Sequence, residues 1–302
     1  MSDVVPIFLS SDDNYAPFVA TTIASICDNT TSFVQIYVLD GGITDKNKEK
    51  ITELKKQFYH FDVEFIEIDI EKEFGHIDFS HAQKYISLST YSRFLIPNLK
   101  PNISKALYSD VDVIFLGNIA DMYAENTDSY ALAAVPDYYA QSVIFNKYKQ
   151  AIGLDLKHSY FAAGNLLIDC EKWRKENILE RLFEITKNVN ENYKHNDQDV
   201  LNVAFENNYK QLPYRYCFCV ANCVNTPEDT DIVIRHFNSP VKPWHLNPDT
   251  QTALMPHLKE FWKYARMTEF YDDLYQKTLD GEQQAQQLRK LRVINLASKV
   301  KL

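Results

Sequence analysis

The sequence predicts an α/β fold built on a mostly parallel sheet with helices on both faces. Short apolar runs alternate with segments of helical spacing over the first 115 residues. The spacing between the runs is long enough for crossover connections, which parallel strands require. Two of the runs end in acid-rich segments, at the strand ends where ligands collect in such sheets.

In chain order, residues 4–9 read as a buried strand, 17–27 as a helix and 35–39 as a second strand. Residues 44–58 look helical, with Ile51 and Leu54 on one face, and 61–70 alternate as a strand. After a polar loop, 88–96 reads as a helix and 106–108 as a short strand leading into Asp110 and Asp112. Residues 130–135 and 165–168 then read as strands, and 170–187 and 198–206 as helices. Pro240, Pro243, Pro248 and Pro256 punctuate the chain between residues 240 and 256. Beyond them, 258–278 places Phe261, Tyr264, Met267, Tyr271 and Leu274 at helical spacing. The glutamine-rich patch 283–287 reads as a hinge before a basic tail.

The 302 residues, 45% hydrophobic and 24% charged, are those of an ordinary globular protein, long enough for one large domain with an appendage or for two modest domains. A formal charge of -9 argues against a general nucleic-acid binder, which needs a positive surface. After Glu282 the balance inverts: there is no acid, but there are Arg289, Lys290, Arg292, Lys299 and Lys301. The opening MSDVVPIFLSSDDNY lacks a signal-peptide pattern, and no run approaches the roughly 20 apolar residues of a spanning helix. The expected location is therefore cytoplasmic. An odd set of five cysteines suits a reducing compartment. Cys217, Cys219 and Cys223 form C-x-C-x3-C, which fits buried small residues better than a zinc knuckle, since no fourth ligand is obvious.

Three D-x-D pairs occur: Asp110/Asp112, Asp197/Asp199 and Asp229/Asp231. Only the first sits between apolar runs, where bare carboxylates are costly unless their charge is compensated. A divalent cation with a diphosphate would compensate it, and two carboxylates suit Mg²⁺ or Mn²⁺. A solvated turn is the plain alternative. A phosphohydrolase with an attacking aspartate is another, but such motifs stand near the chain start and continue with Gly or Thr, whereas Asp112 is followed by Val113. Seven glycines, at 41, 42, 75, 117, 153, 164 and 281, cannot spell G-x-G-x-x-G. A bound diphosphate would therefore be met by metal and by cations such as Arg93 and Lys242.

Six motifs in order now matter: SDDNY (11–15), ISLSTYSR (86–93), LYSDVDV (107–113), FAAGNLLI (161–168), NDQDVLN (196–202) and HFNSPVKPW (236–244). Together they resemble the family 8 retaining glycosyltransferases, which include bacterial lipooligosaccharide galactosyltransferases and, more distantly, glycogenin. The resemblance implies a GT-A fold over residues 1–245; the apolar spacing and charge beyond it mark a helical extension over 246–285 and the basic tail 286–302. It implies a UDP-sugar donor, an oligosaccharide or lipid-linked glycan acceptor, and Mn²⁺ (with Mg²⁺ as the alternative) held by Asp110, Asp112 and His236. Lys242 would neutralise the departing diphosphate and Tyr15 would stack on uracil. Ser10, Asp12, Asn14, Arg93, Asp110, Val111, Ala162, Ala163 and Ser239 complete the implied donor set. Asp197 and Gln198 are the implied catalytic pair, and Asp137 faces the acceptor.

Each has a plainer reading: Asp12, Asp13 or Asp197 as helix caps, Arg93 as a surface ion pair, Tyr15 as a core aromatic, His236 as a structural histidine. Two positions depart from the family pattern. Ala162 stands where an asparagine is common, and Ser239 where a glycine is usual. Both bear on which hexose, galactose or glucose, is taken. Retention by a double displacement would need a carboxylate nucleophile, whereas the amide of Gln198 favours attack on the same face as departure, with Asp197 as the fallback nucleophile. A catalytically dead glycan-binding module on the same fold is the alternative from another class. The basic tail, with Leu288, Leu291, Ile294 and Leu296 among its cations, suits an anionic membrane surface on the inner face of the plasma membrane.

Overall fold

The computed structural model describes residues 4–75, 88–219, 231–250, 255, 257–278 and 281–300. Its strands are β1 Val5–Ser11, β2 Val34–Asp40, β3 Phe61–Glu67, β4 Lys105–Ser109, β5 Val113–Phe115, β6 Leu132–Pro136, β7 Phe161–Asp169, β8 Lys210–Gln211, β9 Phe218–Cys219 and β10 Ile234–His236. Seven of them form one sheet in the order β3-β2-β1-β4-β7-β6-β8, and β5-β10-β9 form a small second sheet. The β3-β2-β1-β4 half is parallel, whereas β7 runs antiparallel to both β4 and β6.

The expected α/β architecture is present, and side-chain alternation explains its two covered faces. Along β1, Val5, Ile7 and Leu9 point into one core and Phe8 into the other. Along β4, Leu107 joins the first core while Ala106 and Tyr108 join the second. The first core is covered by helix Ala16–Asn29, which Pro17 starts, a residue that fits the first turn because its missing N–H has no partner there. The second is covered by helices Cys170–Lys175 and Ile178–Thr186, through Trp173 and Leu182. Strands buried on both faces read as continuous apolar runs, which is why β1 and β2 were legible.

The local boundaries differ from expectation for identifiable reasons. Strand β3 stops at Glu67 because Asp69 caps a short helix, Ile70–Phe74, accepting from the Lys72 N–H at 3.0 Å. The segment expected as one helix over 170–187 breaks at Asn177, whose left-handed φ of 50° starts the second helix. The 258–278 pattern divides into Leu258–Ala265 and Tyr271–Gln276, with the Thr268 hydroxyl turned back onto the Ala265 carbonyl. Residues 88–95 form tight 3-10 turns before helix Ile96–Leu99. No hinge lies at 283–287: helix Gly281–Val300 runs straight through, and Gln284 Oε1 accepts from Thr250 Oγ1 at 2.9 Å.

Candidate active site

The site is built by register. Leu9 of β1 pairs with Ser109 of β4, so Asp110 and Asp112 emerge beside the carboxyl end of the central strand. Antiparallel pairing of Ser109 with Asn165 sets Gly164 opposite Asp110, whose N–H donates to the Gly164 carbonyl at 2.8 Å. Beyond Asp112 the chain continues as β5, and β10 pairs with it so that His236 meets Val113. The Phe237 N–H then donates to the Asp112 carbonyl at 2.8 Å. Three segments far apart in sequence, carrying the Asp110/Asp112 pair, Gly164 and His236, thus reach one point through two strand pairings.

There, ligand atoms of Asp110, Asp112 and His236 lie within 4.8 Å of one another. His236 Nε2 stands 3.1 Å from Asp112 Oδ1 and 3.8 Å from Asp110 Oδ2. Lys242 Nζ donates to Asp112 Oδ2 at 2.6 Å and to the Phe237 carbonyl at 2.7 Å. Burial alone would raise the Asp112 carboxyl, but Lys242 and His236 reverse that and hold it well below the usual range. Burial alone would likewise lower His236, and the adjoining Asp112 carboxylate instead holds the imidazole well above it.

Arg93 braces this group from the side of the sheet. Nearly fully buried, its guanidinium donates to Asp110 Oδ1 at 3.0 Å and to the Ala163 carbonyl at 2.6 Å, and its Cζ lies 4.3 Å from the centre of the Tyr108 ring. It also stands 3.1 Å from Asp197 Oδ2. The surface ion-pair reading of Arg93 is therefore excluded. Gln198 is fixed at both ends of its amide: Oε1 accepts from the Ala163 N–H at 3.0 Å and Nε2 donates to Tyr160 Oη at 3.3 Å.

Burial raises the Asp197 carboxyl to about 6, even against the Arg93 charge. A carboxyl higher in the folded than in the unfolded chain stabilises the fold fully below the unfolded value near 3.8, and this contribution is lost as pH rises through about 6. Measured in chelator by urea unfolding, wild type should lose stability relative to Asp197→Asn between those two values, on the order of 2 kcal/mol. A constant difference across that window would contradict the raised carboxyl.

The remaining expected residues lie around this centre to different degrees. Tyr15 is 42% exposed and meets Phe18 and Trp244 edge-on at 5.3 and 6.2 Å, beside the loop that carries Lys242. Asp12 caps the turn at Tyr15, accepting its N–H at 3.2 Å, and Asp13 instead ties the loop at Thr44 and Asn47. Asn14 is exposed. Ser10 Oγ pairs with Ser92 Oγ at 2.9 Å, and Val111 is buried with its carbonyl accepting from Thr22. Ser239 shapes the turn before Lys242 by accepting from the Val241 N–H. Ala162 and Ala163 are buried in β7. Asp137 accepts from the Tyr139 and Ala140 N–H groups at 2.9 and 3.3 Å, and burial raises its carboxyl.

Four further residues contribute to the site beyond the expected set. Tyr108 donates its hydroxyl to Asp110 Oδ1 at 2.8 Å, steadying that carboxylate. Asn165 accepts from Ser109 Oγ and donates to Cys217 Sγ at 3.4 Å. Cys217 lies 3.8 Å from His236 Nδ1, behind the imidazole. Its thiol is lowered, chiefly by the Cys219 hydrogen bond. Trp244 stacks on Phe18 at 3.7 Å. Tyr108, Asn165 and Trp244 lie inside the six motifs, so that signal was present; nothing in the sequence places Cys217 behind His236.

The fold, with paired carboxylates and an imidazole at the end of its central strands, is that of a GT-A glycosyltransferase. Residues 6–247 match the glycosyl transferase family 8 profile, and the chain belongs to that family. A Haemophilus influenzae protein given the provisional name of a glycosyltransferase is 35% identical over 254 residues, covering 81% of this chain and 74% of its own length. The lipopolysaccharide 1,3-galactosyltransferase of Salmonella typhimurium is 26% identical, with 78% of this chain and 71% of that protein covered. Streptococcus pneumoniae glycosyltransferase GlyA is 30% identical over 87% of this chain, which spans only 35% of GlyA. Among solved structures, the galactosyltransferase LgtC in complex with donor and acceptor sugar analogues superposes with a TM-score of 0.75 at 23% identity, covering 93% of this chain and 99% of LgtC. The expected fold and family are both borne out.

Proposed function

We propose that the protein is a retaining hexosyltransferase that moves galactose or glucose from a UDP-sugar to a saccharide acceptor in the synthesis of a cell-surface glycan. The observation that carries this reading is the meeting of Asp110, Asp112, His236 and Lys242 around Gly164. The donor set fits a divalent cation of the Mn²⁺ or Mg²⁺ class. Two carboxylates and an imidazole converge, and the glycine opposite lets His236 and Asp110 approach where any β-carbon would collide with them. When bound, such a cation supplies Lewis-acid stabilisation of charge on a diphosphate leaving group.

The chain's own residues do the rest. Lys242, resting on Asp112, is positioned to turn its ammonium to the departing diphosphate. Arg93 holds Asp110 and Asp197 in place, and the exposed ring of Tyr15 offers a stacking surface for a base. The Gln198 amide, locked between Ala163 and Tyr160, presents no free nucleophile, which supports attack by the acceptor hydroxyl on the face the diphosphate leaves, with its proton passing to the leaving phosphate. A glycosyl adduct trapped on Asp197 in mass spectrometry would overturn that course.

The test needs no acceptor. UDP release from UDP-galactose, UDP-glucose or UDP-N-acetylglucosamine should occur with Mn²⁺ for one hexose and stop in chelator. If no donor turns over, and calorimetry finds no UDP binding, the reading fails.

The carboxyl-terminal helix supports action at a membrane surface, where a lipid-linked acceptor would float. No helix among the described residues is long and apolar enough to cross a membrane. Leu291 is buried and Leu288 packs on the core, leaving Arg289, Lys290 and Arg292 exposed. Reversing these three to glutamate should weaken co-sedimentation with anionic liposomes by roughly 1 kcal/mol or more per residue, while neutral liposomes stay indifferent. Unchanged co-sedimentation would refute the surface anchor.

A further inference from the structure

Behind the imidazole of His236 lies a second, chemically different donor set. Cys217 Sγ, Cys219 Sγ and a His236 ring nitrogen all lie within 4.8 Å of one another, and all three residues are buried. Cys217 Sγ stands 3.8 Å from Nδ1, the ring nitrogen that the carboxylates leave aside. The pairing of β9 with β10 puts Cys219 directly opposite His236, so this proximity is set by strand register.

We propose that Cys217, Cys219 and His236 Nδ1 form a binding site for a thiophilic divalent cation of the Zn²⁺ class, separate from the carboxylate set. Two thiolates and one imidazole with an open fourth position is an established zinc environment, and hard cations such as Mg²⁺ or Mn²⁺ disfavour it. The surroundings fit a ligand sphere. Asn165 Nδ2 donates to Cys217 Sγ at 3.4 Å, which orients the sulfur as an acceptor. The far side of the imidazole, Nε2, faces Asp112 Oδ1 at 3.1 Å. A zinc-bound histidine ordinarily donates its other N–H to a carboxylate, and Asp112 already occupies that place.

The site stands independently of the proposed function, but its consequence rests on that reading. An imidazole bound through Nδ1 carries its proton on Nε2, aimed at Asp112, and cannot offer that nitrogen to a cation between Asp110 and Asp112. Soft and hard cations therefore compete for one side chain. Zn²⁺ in the thiolate site withdraws a ligand from the carboxylate site.

Cadmium titration of the reduced protein reads the site directly, through the ultraviolet charge-transfer absorbance of cadmium–thiolate bonds. One equivalent per chain is expected to develop the band, to survive in Asp110→Asn and Asp112→Asn, and to disappear in Cys217→Ser and in Cys219→Ser. X-ray absorption on zinc-loaded wild type, which needs no variant to fold, should give two sulfur neighbours and at least one nitrogen. Oxygen-only coordination, or a band retained by both serine variants and so arising at Cys27, Cys170 or Cys223, overturns the proposal. Loss of UDP release in every donor assay would leave these readouts unchanged, so failure of the two readings is distinguishable.

Discussion

Asp112→Asn is expected to lower kcat/KM for the UDP-sugar by about 10³-fold, equivalent to about 4 kcal/mol of lost transition-state stabilisation. The substitution keeps the side chain's shape and leaves the backbone bond from the Phe237 N–H untouched, so the fold should persist. What it removes is the negative charge that faces both His236 Nε2 and Lys242 Nζ. An amide in its place turns either its NH₂ toward one of these donors or a neutral oxygen toward a cation. Manganese affinity, read by the paramagnetic signal of free Mn²⁺, should fall together with turnover. A variant retaining turnover within tenfold of wild type would remove Asp112 from the proposed clamp.

Gly164→Ala should be nearly as damaging although it adds a single methyl group. A β-carbon there would lie 2.4 Å from His236 Cε1 and 2.8 Å from both His236 Nδ1 and Asp110 Oδ2. The imidazole cannot retreat, because Cys217 lies behind it and Asp112 beside it. Overpacking of this kind costs about 1–3 kcal/mol of stability, and a displacement near 1 Å at a reacting centre costs about 10² in rate. A lower thermal midpoint with at least tenfold weaker Mn²⁺ binding is the expected pair of results. Gly281→Ala, where nothing lies within 4 Å of the added carbon, is the control and should change neither. Wild-type Mn²⁺ affinity in Gly164→Ala would mean that the closeness of β7 to the site is incidental.

What the sequence disclosed is uneven in a physically consistent way. The central strands β1 and β4 were legible because both their faces are buried and they carry apolar runs, and β2 because Ile36 to Leu39 form such a run after half-buried Gln35. The short strands β8, β9 and β10 were not, since two or three residues carry no measurable period. Their formation depends on partners already in place. The helices expected over 170–187 and 258–278 had the right apolar spacing, but left-handed Asn177 and the hydroxyl of Thr268 end them locally. The hinge expected over 283–287 was a compositional inference. Packing of Leu288 and Leu291 on the core and the Gln284 bond to Thr250 override it.

By itself, the sequence determined the α/β class, the family and the chemical types in the site. Those depend on local patterns: apolar runs, the Asp110-Val111-Asp112 pair between them, and six motifs in order. Only the tertiary structure decided which atoms face each other. The antiparallel pairing of β10 with β5 carries His236 to the carboxylates, β7 sets Gly164 against them, and Arg93 becomes a buried brace. It also put two thiols behind the same imidazole, because strand register fixes side-chain neighbours across gaps that no linear spacing encodes.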